Sequence, residues 1–168
     1  MINIVLYQPE KPANTGNIVR TCMCFDMKLH IIGPITFSFD DKYLKRAEMD
    51  YVKDCDISFY DSYEDFLSKN YKGQFVYLSR YGLDTFDHCQ FNESGDIYIM
   101  FGKESTGIPK EILRDHLDST YRLPMKADAR SLNLSNCVAI CAFEACKQTG
   151  FERLSKVEVI KGADWLLK

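Results

Sequence analysis

The chain has 168 residues, 46% hydrophobic and 27% charged, with a formal net charge of −3. That length suits a single domain over residues 1–168, burying roughly 70% of its unfolded surface, and the composition excludes a disordered or fibrous chain. The acidic balance argues against non-specific coating of nucleic acid, which needs a large cationic field, but is compatible with an RNA held by a local patch.

Ile2 to Tyr7 is predominantly apolar and β-rich and reads as a buried strand. No basic leader or cleavage site accompanies it, so MINIVLYQPE is expected to be a first strand and not a signal peptide. Asn14 is a good N-cap for a helix over Thr15–Asp26, with Ile18, Cys22 and Phe25 on the inner face. Asn17, Arg20, Thr21 and Cys24 fall on another face of that helix. Lys28 to Gly33 is a second strand, stopped at Gly33-Pro34. Strand, helix and strand in so short a span form a βαβ unit, which implies a parallel sheet.

A short helix opened by Asp40 or Asp41 is expected over DDKYLKRAEM. A strand over Asp56–Tyr60, a helix over Ser62–Asn70 and a buried strand over Gln74–Ser79 follow. Arg80 to Gly95 reads as irregular. Ile97 to Phe101 is the most strand-like run, followed by GKESTGIP and a helix from Pro109, at N1, to about Arg114. Thr120 to Leu123 is the last strand. A loop with Met125, Lys126, Asp128 and Arg130 then leads to a helix that Ser131 or Asn133 can cap. Cys137 to Phe143 is wholly apolar, so this helix is expected to be buried on nearly all sides, with Gly150 at C′. The tail from Phe151 ends in a short helix around Trp165. No apolar run reaches membrane-spanning length. The fold class is α/β, a mostly parallel sheet flanked by helices.

Three stretches bear on chemistry. In IYIMFGKESTGIP a buried strand ends at Gly102, and Gly107 follows five residues on, the pattern of a strand–loop–helix ligand site. It is not a P-loop, which would need glycine at Ile97 and a hydroxyl at Glu104. Its glycines suit close backbone approach to a flat ligand such as adenine, although a plain tight turn has the same look. Arg20 lies on the non-core face of a helix entered from the carboxyl edge of a parallel strand, where ligands bind; an ordinary surface arginine is the alternative. The polar entry to the last helix offers amides and small side chains to a ligand, or is simply the cap of a core helix.

Other chemistries have little support. Cys137 and Cys141 are four apart, but no CxxC and no suitably spaced histidine joins them, so no metal is expected. Seven scattered cysteines favour reduced thiols and a cytoplasmic location. His30, His88 and His116 have no nucleophile partner in view. Two basic clusters, Lys42 with Lys45 and Arg46, and Arg122 with Lys126 and Arg130, are either solvated faces or binding patches.

The stretches NTGNIVR (Asn14 to Arg20), MFGKESTGIP (Met100 to Pro109) and RLPM…RSLNLSNCVAI (Arg122 to Ile140) occur in that order. Together they resemble the three motifs of the SPOUT superfamily of RNA methyltransferases, closest to the single-domain type that methylates the ribose 2′-hydroxyl of a tRNA wobble nucleotide. The resemblance runs from Ile2 to about Phe151. It implies a C-terminal trefoil knot, S-adenosylmethionine as methyl donor, a tRNA substrate and a homodimer, with no DNA or membrane partner. Carried over by position, Arg20 matches the catalytic arginine and Asn17 the asparagine accompanying it. Glu104 and Asn133 match polar residues near the reacting centre, and Leu78, Gly102, Leu123 and Ser131 match the lining of the donor pocket. Lys103 stands where close relatives often have proline, and Phe143 where some have tyrosine. Against the wobble-nucleotide enzyme stand three other readings: a 2′-O-methyltransferase of another RNA site, a non-catalytic RNA-binding module, and a nucleotide-binding α/β regulator without RNA.

Overall fold

All five side chains of Ile97–Phe101 are buried, which makes this strand the centre of the molecule. The computed structural model describes residues 1–38, 55–92 and 95–168. In chain order the elements are β1 (Ile2–Tyr7), α1 (Pro12–Cys24), β2 (Lys28–Ile32), β3 (Ile57–Tyr60), α2 (Tyr63–Lys69), β4 (Gln74–Leu78) and β5 (Asp84–Thr85). Then come β6 (Ile97–Phe101), α3 (Lys110–Asp115), β7 (Thr120–Arg122) and α4 (Leu134–Gln148). The strands form one seven-stranded sheet in the order β3-β2-β1-β6-β4-β7-β5, and every described pairing is parallel.

Alternation along the strands divides the core into two layers. Ile97, Ile99 and Phe101 join Ile4, Leu6, Leu29, Ile31 and Val76 beneath α1 and α4. Tyr98 and Met100 join Val5, Ile32 and Tyr77 beneath Phe66 of α2 and Leu113 of α3. Each such side chain taken fully out of water contributes about 1.5–3 kcal/mol. Small residues set the helix–helix contact: Ala142, Ala145 and Cys141 of α4 are buried in the same cluster as Ile18, Val19 and Cys22 of α1.

The helix ends follow from local chemistry. α1 starts earlier than expected, with Pro12 in the first turn and Lys11 as an extended N-cap, so Asn14 is inside the helix and its side chain is released for other work. Pro109 is likewise the N-cap of α3 and not its first residue. At the start of α4 the Asn133 side chain accepts the Ser135 N–H. At its end Gly150 has φ +73°, its N–H reaches the Lys147 carbonyl at 3.1 Å, and the Phe151 N–H reaches Cys146 at 2.8 Å. Those two bonds are a Schellman ending, as expected of a C′ glycine.

Two further expectations need correction and one lies outside the described residues. α4 is not buried all round: Val138, Cys141 and Ala142 face α1, but Ile140 is 46% and Phe143 52% exposed. The apolar run carries a second stripe that the monomer leaves in water. The Arg80–Gly95 segment holds a two-residue strand, β5, paired with β7. Nothing in its composition marks it, because the pairing comes from the partner strand. The DDKYLKRAEM stretch, with the cluster Lys42, Lys45 and Arg46, lies outside the described residues.

Candidate active site at the carboxyl edge

The strand order brings the loops after β1, β6, β4 and β7 to one edge, because β6 is inserted between β1 and β4 and β7 between β4 and β5. The β1 and β6 loops are stitched together reciprocally. The Glu104 carboxylate accepts the N–H groups of Glu10 at 2.9 Å and Lys11 at 3.2 Å, beside the N-terminus of α1 where negative charge is favoured. In return the Glu10 carboxylate accepts the N–H and hydroxyl of Ser105, both at 2.8 Å. Those two bonds hold the Glu10 carboxyl below its usual range.

From Glu104 a polar relay runs into the third segment. Asn14 Nδ2 donates to Glu104 at 2.9 Å, and Asn133 Nδ2 donates to Asn14 Oδ1 at 2.9 Å. Asn133 Oδ1 then accepts the Ser135 N–H at 2.9 Å and its hydroxyl at 2.6 Å. The direction is fixed at both ends: a carboxylate can only accept, and a helix N–H can only donate. Both amides are therefore held in one orientation.

Gly102, at the end of β6, has its own reason to be glycine. A Cβ there would stand 2.0 Å from the Gly107 carbonyl carbon and 2.1 Å from the Ile108 nitrogen. The loop folds back on itself, closed by the Gly107 N–H on the Lys103 carbonyl at 2.8 Å and by φ +75° at Gly107. A side chain at Gly102 would therefore strike the loop's own backbone before it reached any ligand. Lys103 reaches across to Gln8 Oε1 at 3.2 Å, so this lysine adds a tie between the β6 and β1 loops.

Of the remaining expected residues, Leu78 and Leu123 are half-buried against the core at the ends of β4 and β7. Ser131 is exposed in the loop entering α4. Arg20 and Asn17 are both exposed on α1, while Ile18, Val19 and Cys22 are buried, so Arg20 lies off the core face as expected. Arg20 stands six residues beyond Asn14, about 9 Å along the helix axis. The asparagine that the structure brings to Glu104 and Asn133 is Asn14, which is 7% exposed, and not Asn17. Sequence reasoning took Asn14 for a cap. Its place at the opening of the NTGNIVR stretch was the available signal.

The rejected chemistries also receive physical content. Burial raises the Cys137 and Cys141 thiols above their usual range, which disfavours the thiolate a metal would need. His30 is buried between Tyr60 and Asn3, at 2.8 and 3.2 Å, with its pKa lowered to about 4 chiefly by burial. His116 stacks on Tyr77 and His88 pairs with Asp84, so none of the three histidines faces the relay. A groove between Phe25, Phe91 and Phe151 opens at the opposite, amino edge, where Ile2 and Ile97 begin β1 and β6. It contains none of the residues of the three stretches that join at the relay.

A parallel α/β sheet with interlocked loops at the carboxyl edge of its switch point defines a ligand-binding α/β protein. The description "SpoU rRNA Methylase family" applies to residues 1–143, and the chain belongs to that family. A tRNA (cytidine(34)-2′-O)-methyltransferase of Escherichia coli strain K12 is 41% identical over 153 residues, covering 90% of this chain and 96% of its own. A solved structure described as giving insight into 2′-OH methylation of C/U34 on tRNA superposes with a TM-score of 0.83. It is 37% identical and covers 90% of this chain and 98% of its own. An AdoMet-bound rRNA methyltransferase from Sinorhizobium meliloti has a TM-score of 0.77 at 26% identity, over 87% of this chain and 56% of its own.

Proposed function

We propose that this chain methylates the ribose 2′-hydroxyl of the wobble nucleotide, cytidine or uridine 34, in the anticodon loop of a tRNA, with S-adenosylmethionine as methyl donor. The observation that carries the reading is the relay from Glu104 through Asn14 to Asn133. It joins the three stretches that a family methyltransferase would use, and it does so at the carboxyl edge. The relatives named for cytidine 34 methylation support the substrate.

The residues present suit the donor. Leu78 and Leu123 offer half-buried apolar surface beside loop backbone at neighbouring strand ends, which fits a flat purine, while Gly102 keeps the β6 loop folded close. Ser131 adds a hydroxyl in the loop entering α4. Bound there, S-adenosylmethionine supplies an electrophilic methyl group. Arg20 is the group we assign to the ribose, where a fixed cation stabilises the developing alkoxide and a guanidinium fork can also hold a phosphate. A guanidinium does not serve as a free base at neutral pH, so a neighbouring phosphate or water takes the proton. Glu104 has three donors on its carboxylate and is assigned to holding the loops, with Asn133 fixing the start of α4. Asn17, one turn from Arg20, is assigned to the substrate side of α1.

The family's trefoil knot and homodimer belong to this reading. The exposed Ile140 and Phe143 stripe on α4 is the surface we assign to the second copy. A tRNA substrate and seven free thiols fit the cytoplasm. A second reading, methylation at another RNA site, is favoured by the family's description and by the rRNA methyltransferase among the structural neighbours. Incubation with labelled S-adenosylmethionine and total tRNA, followed by nucleoside mass spectrometry, separates them. Label in 2′-O-methylcytidine or 2′-O-methyluridine at position 34 supports the first. Label only in rRNA or at another tRNA position supports the second.

A further inference from the structure

The turn that follows β4 presents an aromatic ring and a cation to solvent on a rigid base. Its rigidity has several sources. The Ser79 N–H donates to the Tyr121 carbonyl at 2.9 Å, Gly82 closes the turn on the Ser79 carbonyl at 3.1 Å, and the Tyr81 N–H donates to the Ser79 hydroxyl at 3.2 Å. Gly82 is buried, and a Cβ on it would stand 2.4 Å from the Tyr121 carbonyl carbon and 2.7 Å from the Arg122 nitrogen. The turn is thus pressed onto β7.

What it holds outward is unusual for a folded surface. Tyr81 is 74% and Leu83 80% exposed, on either side of a buried glycine. The Arg80 guanidinium lies 5.7 Å from the centre of the Tyr81 ring. Neither Arg80 nor Arg122 has an ion-pair partner among the described residues, whereas Lys126, in the next loop, is paired with Asp128. The turn leaves the carboxyl end of β4, two strands from β1 in the sheet, so its base lies about 10 Å from the loop that opens α1.

An exposed ring beside an arginine that has no ion-pair partner among the described residues suits single-stranded RNA: a base stacks on the ring face, and the cation takes a flanking phosphate. A ring left in water gains by stacking on a base, and a rigid turn loses little entropy when it does. The geometry points to Tyr81, with Arg80, as a stacking platform for an unpaired nucleobase of the RNA next to the nucleotide being methylated. This rests on the methyltransferase reading above and adds to it where the substrate lies.

The test uses the full chain and an anticodon stem-loop carrying 2-aminopurine at each unpaired position in turn. With wild type, fluorescence at a position adjoining nucleotide 34 is quenched on binding. Tyr81→Phe keeps the quenching, and Tyr81→Ala loses it and binds the stem-loop about five- to a hundredfold more weakly, the range that base–aromatic stacking supplies. Donor affinity and melting temperature stay at wild-type values in both variants. Arg80→Gln weakens binding further at low salt than at high salt.

Three results overturn the platform. Tyr81→Ala binds the stem-loop as tightly as wild type, or Tyr81→Phe loses as much as Tyr81→Ala, or Tyr81→Ala loses donor affinity with RNA affinity unchanged. The last would put the donor's adenine on the ring. Failure of wild type to bind or methylate any RNA overturns the enzyme reading itself, and the platform with it.

Discussion

Asn14 and Asn133 lie 119 residues apart in the chain and share one hydrogen bond of 2.9 Å, Asn133 Nδ2 donating to Asn14 Oδ1. Because Asn14 also donates to Glu104, this single amide is the joint between three segments that the sequence scatters over the chain.

Removing that joint is expected to loosen all three loops. Asn14→Ala leaves the Asn133 amide donor without its partner in a part-buried site and takes from Glu104 Oε1 one of its two donors, the Lys11 N–H remaining, which costs about 1–3 kcal/mol of stability. Asn14→Asp is expected to cost more, since it sets a second carboxylate against Glu104. Asn17→Ala, on the exposed face, is expected to melt at the wild-type temperature. Thermal melting of the three variants checks this; equal melting of Asn14→Ala and wild type would remove the relay from the account.

The β6 loop is the next sensitive point. Gly102→Ala forces a carbon to within 2.0 Å of the loop's own backbone, so folding of this loop fails and donor binding falls with it. Gly107→Ala meets nothing within 4 Å and is limited to the strain of φ +75°, about 1–2 kcal/mol. Chemical denaturation and donor calorimetry on both variants check the ranking. A Gly102→Ala protein with wild-type stability and affinity would contradict the loop geometry.

His30 gives the fold an acid limit. Burial lowers its pKa to about 4, below the value of 6.5 for a free imidazole. Between those values the unfolded chain binds a proton that the native chain excludes, so stability falls as pH drops from about 6.5 to about 4, by roughly 3 kcal/mol in all. His30→Gln is expected to flatten that part of the profile, whatever it does to stability at neutral pH. Denaturant midpoints across the range for both proteins check the slope.

Much of this architecture was legible in the sequence, and the exceptions have physical causes. β6 was readable because a strand buried on both faces is a continuous apolar run, and β1, β2 and β4 because β-branched, leucine and aromatic residues dominate them despite Asn3, His30 and Gln74. β5 was not, since two residues gain their conformation from β7 and not from their own composition. The apolar run in α4 was read as burial, but a chain cannot declare whether water or a second copy meets Ile140 and Phe143. Within the site, Glu104 and Asn133 were identified through the resemblance. Asn14 was assigned to the wrong task because a capping asparagine and a relay asparagine look the same one residue at a time. Pro12, by starting the helix early, decided between them.

The exposed stripe on α4 yields the oligomer prediction. Wild type is expected to be a dimer at micromolar concentration, and Phe143→Asp with Ile140→Asp a folded monomer, because each introduces a charge that association would have to desolvate. Light scattering reads the mass. A monomeric wild type, or a double variant that stays dimeric, would place the contact elsewhere or remove it.

The central proposal is the assignment of Arg20 to the ribose of a tRNA wobble nucleotide. It is tested most directly by single-turnover methylation of tRNA with labelled S-adenosylmethionine, wild type beside Arg20→Ala, the product digested and read by mass spectrometry. Truncation of an exposed residue leaves no cavity, so the variant is expected to melt and bind the donor as wild type does. Its rate is expected to fall about a hundred- to thousandfold, the loss typical of removing one donor to a developing oxyanion, with only partial rescue in Arg20→Lys. Wild-type label is expected at the 2′-oxygen of nucleotide 34. An Arg20→Ala protein that folds, binds the donor and labels that position at the wild-type rate would contradict the account.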